Sequence, residues 1–503
     1  MKISKNSIIH GALILTTANI ITRIIGFLYR IYMSKTIGAE GMGLYQLITP
    51  IYMLAWSISS AGLATTVSNL TARENALKNY GNIKRILYIS IIFTAIISFN
   101  LGVLVFTGAE YISLHILKDI RTTMSLKIIS VCFPFMAIGS CIRGYFLGMR
   151  ENSIPATSQV FEQAVRMGAI YILSGSMLNK GLEYACAMAV CGMAAGEIMS
   201  FIYVICCFYF YTKKTPQKKP AIKYYSCILL ILSMAVPLTL NRIAGSLLST
   251  VENILIPQRL QLFGYSKTQA VSIFGELCGM AMPLIMFPSS MLTALSTALM
   301  PVISSSDATC DKKRISHTVN KAILLTIIIG LGTGGIFITY PCEISQLVYS
   351  QPQVGTLLRL LALICPFTYL QVILSGILNG LNKQLFIFKI GLLSSGINIA
   401  SIYFLTPVYG IHAFICSWFV SSVITGIISL YKVGSTIKII PIKLNIIIKA
   451  LFSIGVSVFT SLIIYKALIL YINQAIALIM GIGLIGITYI TLLTEMKVLP
   501  KIK

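Results

Sequence analysis

Arg23 and Arg30 lie seven residues apart in the apolar run 8–33. On an α-helix that spacing is two turns, so both guanidiniums leave the same face. A cation at membrane depth costs about 2.5–3.5 kcal/mol on insertion scales and survives where it faces protein or a water-filled cavity. The chemistry on offer is recognition of a polyanion. Arginine suits a phosphate better than lysine does, because its planar fork donates two parallel hydrogen bonds. Arg23 is the deeper of the two and is expected to face a cavity. For Arg30, nearer the outer end, cavity placement and snorkelling to the interface stand as two readings.

Further charges fall inside apolar runs. Glu162 and Arg166 are spaced i, i+4 and would pair on one face, either as a tie between helices or as a substrate contact. Glu197 and Arg242 would either neutralise each other or face a central space. Glu276 reads as a proton or cation site, or as a satisfied buried acid. The candidate substrate-binding residues are therefore Arg23, Arg30, Arg166 and Arg242. The candidates for ion coupling or charge pairing are Glu162, Glu197 and Glu276. Arg143 and Arg150 suit a headgroup or loop role, while Lys127, Arg359, Lys389 and Lys449 suit snorkelling. Enzyme chemistry is not expected: there is no Gly-x-x-x-x-Gly-Lys-Ser/Thr loop, and no nucleophile stands beside a base. His10, His115, His317 and His412 are isolated, so no metal or cofactor is expected.

The elements that must position these charges are membrane helices. Of 503 residues, 56% are hydrophobic and 11% charged. Apolar runs of about 20 residues recur along the chain, each long enough to cross a bilayer core. The net charge of +25 accompanies no basic motif with interleaved aromatics, which argues against nucleic acid. It belongs instead to short loops lying against anionic lipid heads. The twelve cysteines, mostly inside apolar runs, behave as small apolar residues rather than as a disulfide or metal framework. The basic, then apolar N-terminus lacks a small-residue cleavage pattern and reads as a retained first membrane helix.

Fourteen spans are expected, near 8–33, 43–69, 85–107, 122–148, 154–178, 182–211, 224–250, 269–302, 315–340, 353–380, 384–406, 411–431, 445–467 and 471–494. Alternate connections are basic. They start with Lys2 and Lys5, continue through Arg73, Lys78, Lys84 and Arg85, and include Lys213, Lys214, Lys218, Lys219 and Lys223. The series ends with Lys432, Lys438 and Lys443, then Lys497, Lys501 and Lys503. The opposite loops hold Lys35, Lys118, Arg121, Lys180, Arg259 and Lys267, partly offset by Glu40, Glu110, Asp119 and Glu183. By the positive-inside rule both termini are cytoplasmic, which requires an even number of spans.

The chain also repeats itself. At one constant shift Pro134 meets Pro366, Gly144 meets Gly376, Gly148 meets Gly380, Leu63 meets Leu295, Thr65 meets Thr297, and Gly43 meets Gly275. The expected fold is an all-α polytopic protein of two pseudo-symmetric six-helix lobes plus a C-terminal helix pair. Its parts would be an N-lobe over 1–211, a basic linker over 212–223, a C-lobe over 224–433, and a final pair with tail over 434–503. Matched prolines and glycines in the two copies are candidate kinks or close-packing points.

Residues 22–30 (Thr-Arg-Ile-Ile-Gly-Phe-Leu-Tyr-Arg), followed by Ile37-Gly38-Ala39-Glu40-Gly41-Met42-Gly43, resemble the opening of the stage V sporulation protein B type of polysaccharide-export protein. Ile256-Pro257-Gln258-Arg259-Leu260 and residues 295–304 resemble the same family. It lies in the multidrug/oligosaccharidyl-lipid/polysaccharide flippase superfamily, and the likeness covers essentially the whole chain. The resemblance implies a MATE-like fold. It implies a flippase for undecaprenyl-pyrophosphate-linked sugars, working by alternating access in the bacterial cytoplasmic membrane, with membrane lipids and cell-wall synthesis enzymes as further partners. In lipid II flippases of this group, first-helix arginines meet the diphosphate; Arg23 falls on the first. The relatives' Arg-Asp dipeptide falls on Tyr29-Arg30, and their arginines of the second and eighth spans have apolar counterparts here. That departure points away from lipid II and toward the sporulation branch, which serves spore cortex peptidoglycan synthesis. Two alternatives stand beside it: a cation- or proton-coupled multidrug exporter of the same superfamily, and a non-transporting scaffold for cell-wall enzymes.

Overall fold

The computed structural model describes residues 5–213, 220–308, 312–437 and 444–498. Lys2, Lys214, Lys218, Lys219, Lys438, Lys443, Lys501 and Lys503 of the basic loops therefore lie outside the described residues. Helices form every regular element among the described residues. They are α1 (Lys5–Trp56), α2 (Gly62–Ala76), α3 (Tyr80–Thr107), α4 (Thr123–Met149), α5 (Ser153–Met177), α6 (Leu182–Lys213), α7 (Tyr224–Leu262), α8 (Lys267–Phe274), α9 (Met282–Ala308) and α10 (Lys312–Thr339). They continue with α11 (Pro341–Tyr349), α12 (Val354–Ala362), α13 (Cys365–Gly380), α14 (Gln384–Phe404), α15 (Ile411–Ile437), α16 (Leu444–Leu468) and α17 (Gln474–Glu495).

Among the described residues, length and apolarity qualify eleven segments as membrane crossings, or twelve if the pair α12–α13, bent by 60°, is one span. That is not the fourteen of the sequence count, and the differences have physical causes. The segment 14–76 counts once although its 63 residues are about twice what one crossing needs. Gly38 breaks it with φ 69° and ψ −173°, a backbone that glycine adopts without a Cβ penalty. Helix α5 does not qualify because Glu162, Gln163 and Arg166 lower its apolarity.

The internal repeat recurs in three dimensions, contact by contact. A Cβ added to Gly102 would lie 2.9 Å from the Ser130 carbonyl, and one on Gly334 3.0 Å from that of Ala362. Gly144 and Gly148 pack against Ala64 and Ser68, while Gly376 and Gly380 pack against Ser296 and Met300. Each second-copy pair lies at the same shift from its first-copy pair. The glycines let helix backbones approach where a side chain would hold them apart. The matched prolines differ in effect. Pro134 lies within the continuous α4, whereas Pro366 opens α13 after the 60° bend. A proline ring clashes with the carbonyl four residues earlier and removes one hydrogen-bond donor.

The chain forms two compact units, one of residues 1–258 with 266–275, the other of 259–265 with 276–503. The repeat places the second lobe's start at 224, but by packing residues 224–258 belong to the first unit. Cys227, Ile231 and Ala235 of α7 are buried in one cluster with Leu63, Leu70, Ile86, Ile89 and Cys141. Gly62 accepts α7 closely at Ala235 and Thr239.

Candidate functional site

Five of the candidate charges of the first unit, Arg23, Arg30, Glu162, Arg166 and Glu197, lie on α1, α5 and α6. Gly192 and Gly196 of α6 let α5 approach until added Cβ atoms would lie 3.1 Å from the Arg166 carbonyl and 2.9 Å from that of Glu162. This brings the polar stretch of α5 against α6. Arg166 Nη2 donates to Glu162 Oε1 at 2.8 Å, with side chains 14% and 12% exposed. The ion pair expected from the i, i+4 spacing is thus formed.

One residue past that glycine pair, Glu197 is buried and accepts a hydrogen bond from the Tyr52 hydroxyl at 2.5 Å. Among the described residues its second oxygen, Oε2, is buried without a hydrogen-bond partner, as is Nε of Arg166. The expected alternative in which Glu197 and Arg242 neutralise each other does not hold: no ion pair joins them among the described residues. Arg242 of α7 instead places its guanidinium 5.7 Å from the ring centre of Trp56. Trp56 stands one helical turn beyond Tyr52 on α1. Tyr45, on the same helix, donates its hydroxyl to the Met193 sulfur at 3.8 Å.

Gly26 of α1 faces Gln163 of α5, with an added Cβ 3.9 Å from Oε1. Arg23 and Arg30 are three residues before and four after Gly26, which puts all three on one helix face. Arg23 is exposed and Arg30 half-buried, and neither forms an ion pair among the described residues. The face of α1 carrying two unpaired guanidiniums therefore adjoins the α5 segment carrying the Glu162–Arg166 pair. Glu276 stands apart in the second unit, half-buried in the π-helical turn Gly275–Ala281, with the Gln353 amide 3.5 Å away.

Tyr52 and the Gly192/Gly196 pair are not among the candidates that the sequence marks. The small-xxx-small spacing ahead of Glu197 is the signal for the helix approach. Nothing in the sequence points to Tyr52 as the partner of a residue 145 positions away.

A second cluster ties α1 and the start of α8 to the segment ahead of α4. The Arg121 guanidinium donates to Glu40 at 2.6 Å and to Asp119 at 2.8 Å. Lys267 Nζ lies 3.7 Å from Asp119. Of the acids that offset the sparsely charged connections, Glu40 and Asp119 thus do so by direct pairing. Burial works to raise the Asp119 carboxyl, but the hydrogen bonds and charge of Arg121, with Lys267, outweigh it and hold its pKa below the ordinary carboxylate value.

Fold and site define the class first: a multi-pass helical membrane protein that carries, among the described residues, an ion pair on α5 and two guanidiniums without an ion pair on α1. The chain belongs to the polysaccharide biosynthesis protein family, whose sequence model matches residues 8–307, within the multidrug/oligosaccharidyl-lipid/polysaccharide flippase superfamily. The MatE model matches residues 277–404. Stage V sporulation protein B of Bacillus subtilis (strain 168) is 30% identical over 75% of this chain and 74% of its own. Lipid II flippase MurJ of the same organism is 25% identical over 76% of this chain and 74% of its own. Among solved structures, lipid II flippase MurJ in an inward closed conformation superposes with a TM-score of 0.70 at 15% identity, covering 96% of this chain and 98% of that one. An inward-facing multidrug resistance MATE family transporter gives 0.64 at 13% identity, covering 85% of this chain and 98% of that one. These two likenesses concern the fold.

Proposed function

We propose that this protein is a flippase that moves an undecaprenyl-pyrophosphate-linked cell-wall saccharide across the bacterial cytoplasmic membrane by alternating access. The observation that carries the reading is the α1 face bearing Arg23 and Arg30, without ion-pair partners among the described residues, which meets α5 at Gln163, one turn from Arg166. A diphosphate needs several fork-shaped donors, and charge neutralisation offsets the cost of drawing it from water while the polyprenyl tail stays in lipid. Arg23 and Arg30 would engage first. Arg166 joins only by loosening its bond to Glu162, and Arg242 only by leaving Trp56. The names of the relatives support the substrate class, and the 30% identity to a stage V sporulation protein supports a place in spore cortex peptidoglycan synthesis. Both termini would be cytoplasmic, by the distribution of Lys and Arg in the loops.

The test is flipping in proteoliposomes. A labelled undecaprenyl-pyrophosphate saccharide is followed by its exposure to an impermeant reagent, with parent and Arg23→Ala protein side by side. The reading expects flipping by the parent and its loss in a variant that still folds and inserts. Equal flipping by both would remove Arg23 from the site; none by folded parent would remove the function.

A second reading, a cation- or proton-coupled exporter of amphipathic drugs, draws on the Glu162, Arg166 and Glu197 cluster. Glu162 holds the one guanidinium there, Glu197 is held by the Tyr52 hydroxyl, and among the described residues the second oxygen of Glu197 has no hydrogen-bond partner. In the flippase reading the same acids, with Glu276, are the coupling candidates. Drug efflux by parent cells that depends on Glu197 but not on Arg23 would favour the exporter.

A further inference from the structure

The foot of α3 is stitched to the chain entering α7. The Asn82 side-chain oxygen accepts the backbone N–H groups of Ala221 at 2.9 Å and Ile222 at 3.1 Å. The Asn82 amide in turn donates to Glu74 at 2.8 Å. Arg85 donates to the Ile222 carbonyl, and its guanidinium lies 4.0 Å from the ring centre of Tyr224.

These bonds frame a cleft of about 440 Å³ whose walls include Lys84, Arg85, Tyr88, Phe208, Pro220 and Tyr224. Among the described residues no carboxylate lines it. Lys84 is half-buried and forms no ion pair among the described residues. From the cleft an apolar stripe runs along α3 at helical spacing: Tyr88, Ile92 and Ile96 are 65%, 43% and 55% exposed. At 1.5 Å per residue the stripe covers about 12 Å, close to the hydrocarbon depth of one leaflet.

We propose that this cleft binds the headgroup of an anionic glycerophospholipid. Its phosphate would lie on Lys84 and Arg85, with an acyl chain along Tyr88, Ile92 and Ile96. Charge decides the class: Lys84 and Arg85 suit a phosphate, and an anionic lipid brings them a net negative charge that a zwitterionic one, whose ammonium offsets its phosphate, does not. Shape decides the source, because the cleft continues into an apolar track rather than ending in a closed pocket. Aromatic side chains at its rim match the interfacial depth at which headgroups sit. The proposal stands on this cleft alone and does not depend on what the protein transports.

The test uses the full-length protein in mild detergent, titrated with phosphatidylglycerol, with phosphatidylcholine of the same chains, and with undecaprenyl diphosphate. Bound lipid is counted by native mass spectrometry. One basic side chain near an anionic lipid changes affinity about fivefold. The parent should bind phosphatidylglycerol in preference to phosphatidylcholine. Lys84→Gln should cut that binding about fivefold while leaving the lipid-free melting temperature unchanged, and the exposed control Lys389→Gln should behave as the parent. Unaltered phosphatidylglycerol binding by Lys84→Gln, or equal binding of the two phospholipids by the parent, would overturn the site. Stronger, Lys84-dependent binding of undecaprenyl diphosphate would overturn the occupant.

Discussion

Gly43 and Gly275 meet reciprocally. A Cβ on Gly43 would fall within 3.0 Å of the Val271 carbonyl, and a Cβ on Gly275 within 3.0 Å of the Ala39 carbonyl. The shift that relates the two halves of the sequence pairs Gly43 with Gly275, and it also pairs Ala39 with Val271. A contact in which each partner presents the same surface to the other is the signature of a two-fold relation. The Arg121–Glu40 and Lys267–Asp119 bridges flank it. This junction joins two helix starts as closely as backbones allow.

Gly275→Ala is therefore expected to force those helix starts apart rather than be absorbed. Overpacking of this kind costs about 1–3 kcal/mol. A lowered melting temperature, with loss of short-reagent cross-linking between cysteines placed at Ala39 and Val271, would be the outcome. Cross-linking equal to that of the parent pair would show that the junction tolerates a side chain.

The pair of Glu162 and Arg166 predicts non-additive stability. Removing one partner of a buried ion pair leaves an uncompensated charge and costs about 3–5 kcal/mol, whereas replacing both with apolar groups is far milder. Arg166→Met alone should thus destabilise more than Glu162→Met with Arg166→Met together. Thermal unfolding of the parent, the two single variants and the double variant decides it; a double variant as unstable as the sum of the singles would mean that the pair is not coupled.

Tyr52→Phe removes the hydroxyl that serves Glu197. The carboxylate would then lack that hydrogen bond in a buried setting, at about 1–3 kcal/mol. Glu197→Gln in the Tyr52→Phe background should recover part of the loss, since a neutral amide costs less to bury than a carboxylate. No recovery would imply that the hydroxyl serves packing rather than the acid.

Asp119 predicts a pH dependence whose sign is set. Its carboxyl is held below its value in an unfolded chain, chiefly by Arg121 working against burial. The stabilisation is full above the unfolded value of about 4 and is lost as pH falls through the lower folded value. The melting-temperature gap between parent and Asp119→Asn should be constant above about pH 5 and close on acidification. A gap independent of pH down to acid unfolding would contradict the ion-pair account.

Much of this molecule is legible in its sequence. Apolar runs, basic loops and the matched glycines point to an all-helical membrane fold with an internal repeat, and the repeat recurs as Gly144 on Ala64 and Gly376 on Ser296. The Glu162–Arg166 pair is legible because a helix makes i, i+4 neighbours of any sequence. These properties follow from composition and from local geometry, which a linear chain carries in full.

What only tertiary structure decided are the partners brought together across the chain. Glu197 meets Tyr52 and not Arg242, which rests on Trp56. Residues 224–258 pack with the first unit although the repeat begins the second lobe at 224. The reciprocal approach of Gly43 and Gly275, and the Lys84 cleft closed by Asn82 and Arg85, likewise depend on which helix faces which. A sequence states how apolar and how charged each face is. The choice of neighbour is made by how the assembled helices pack against one another, and no residue encodes it alone.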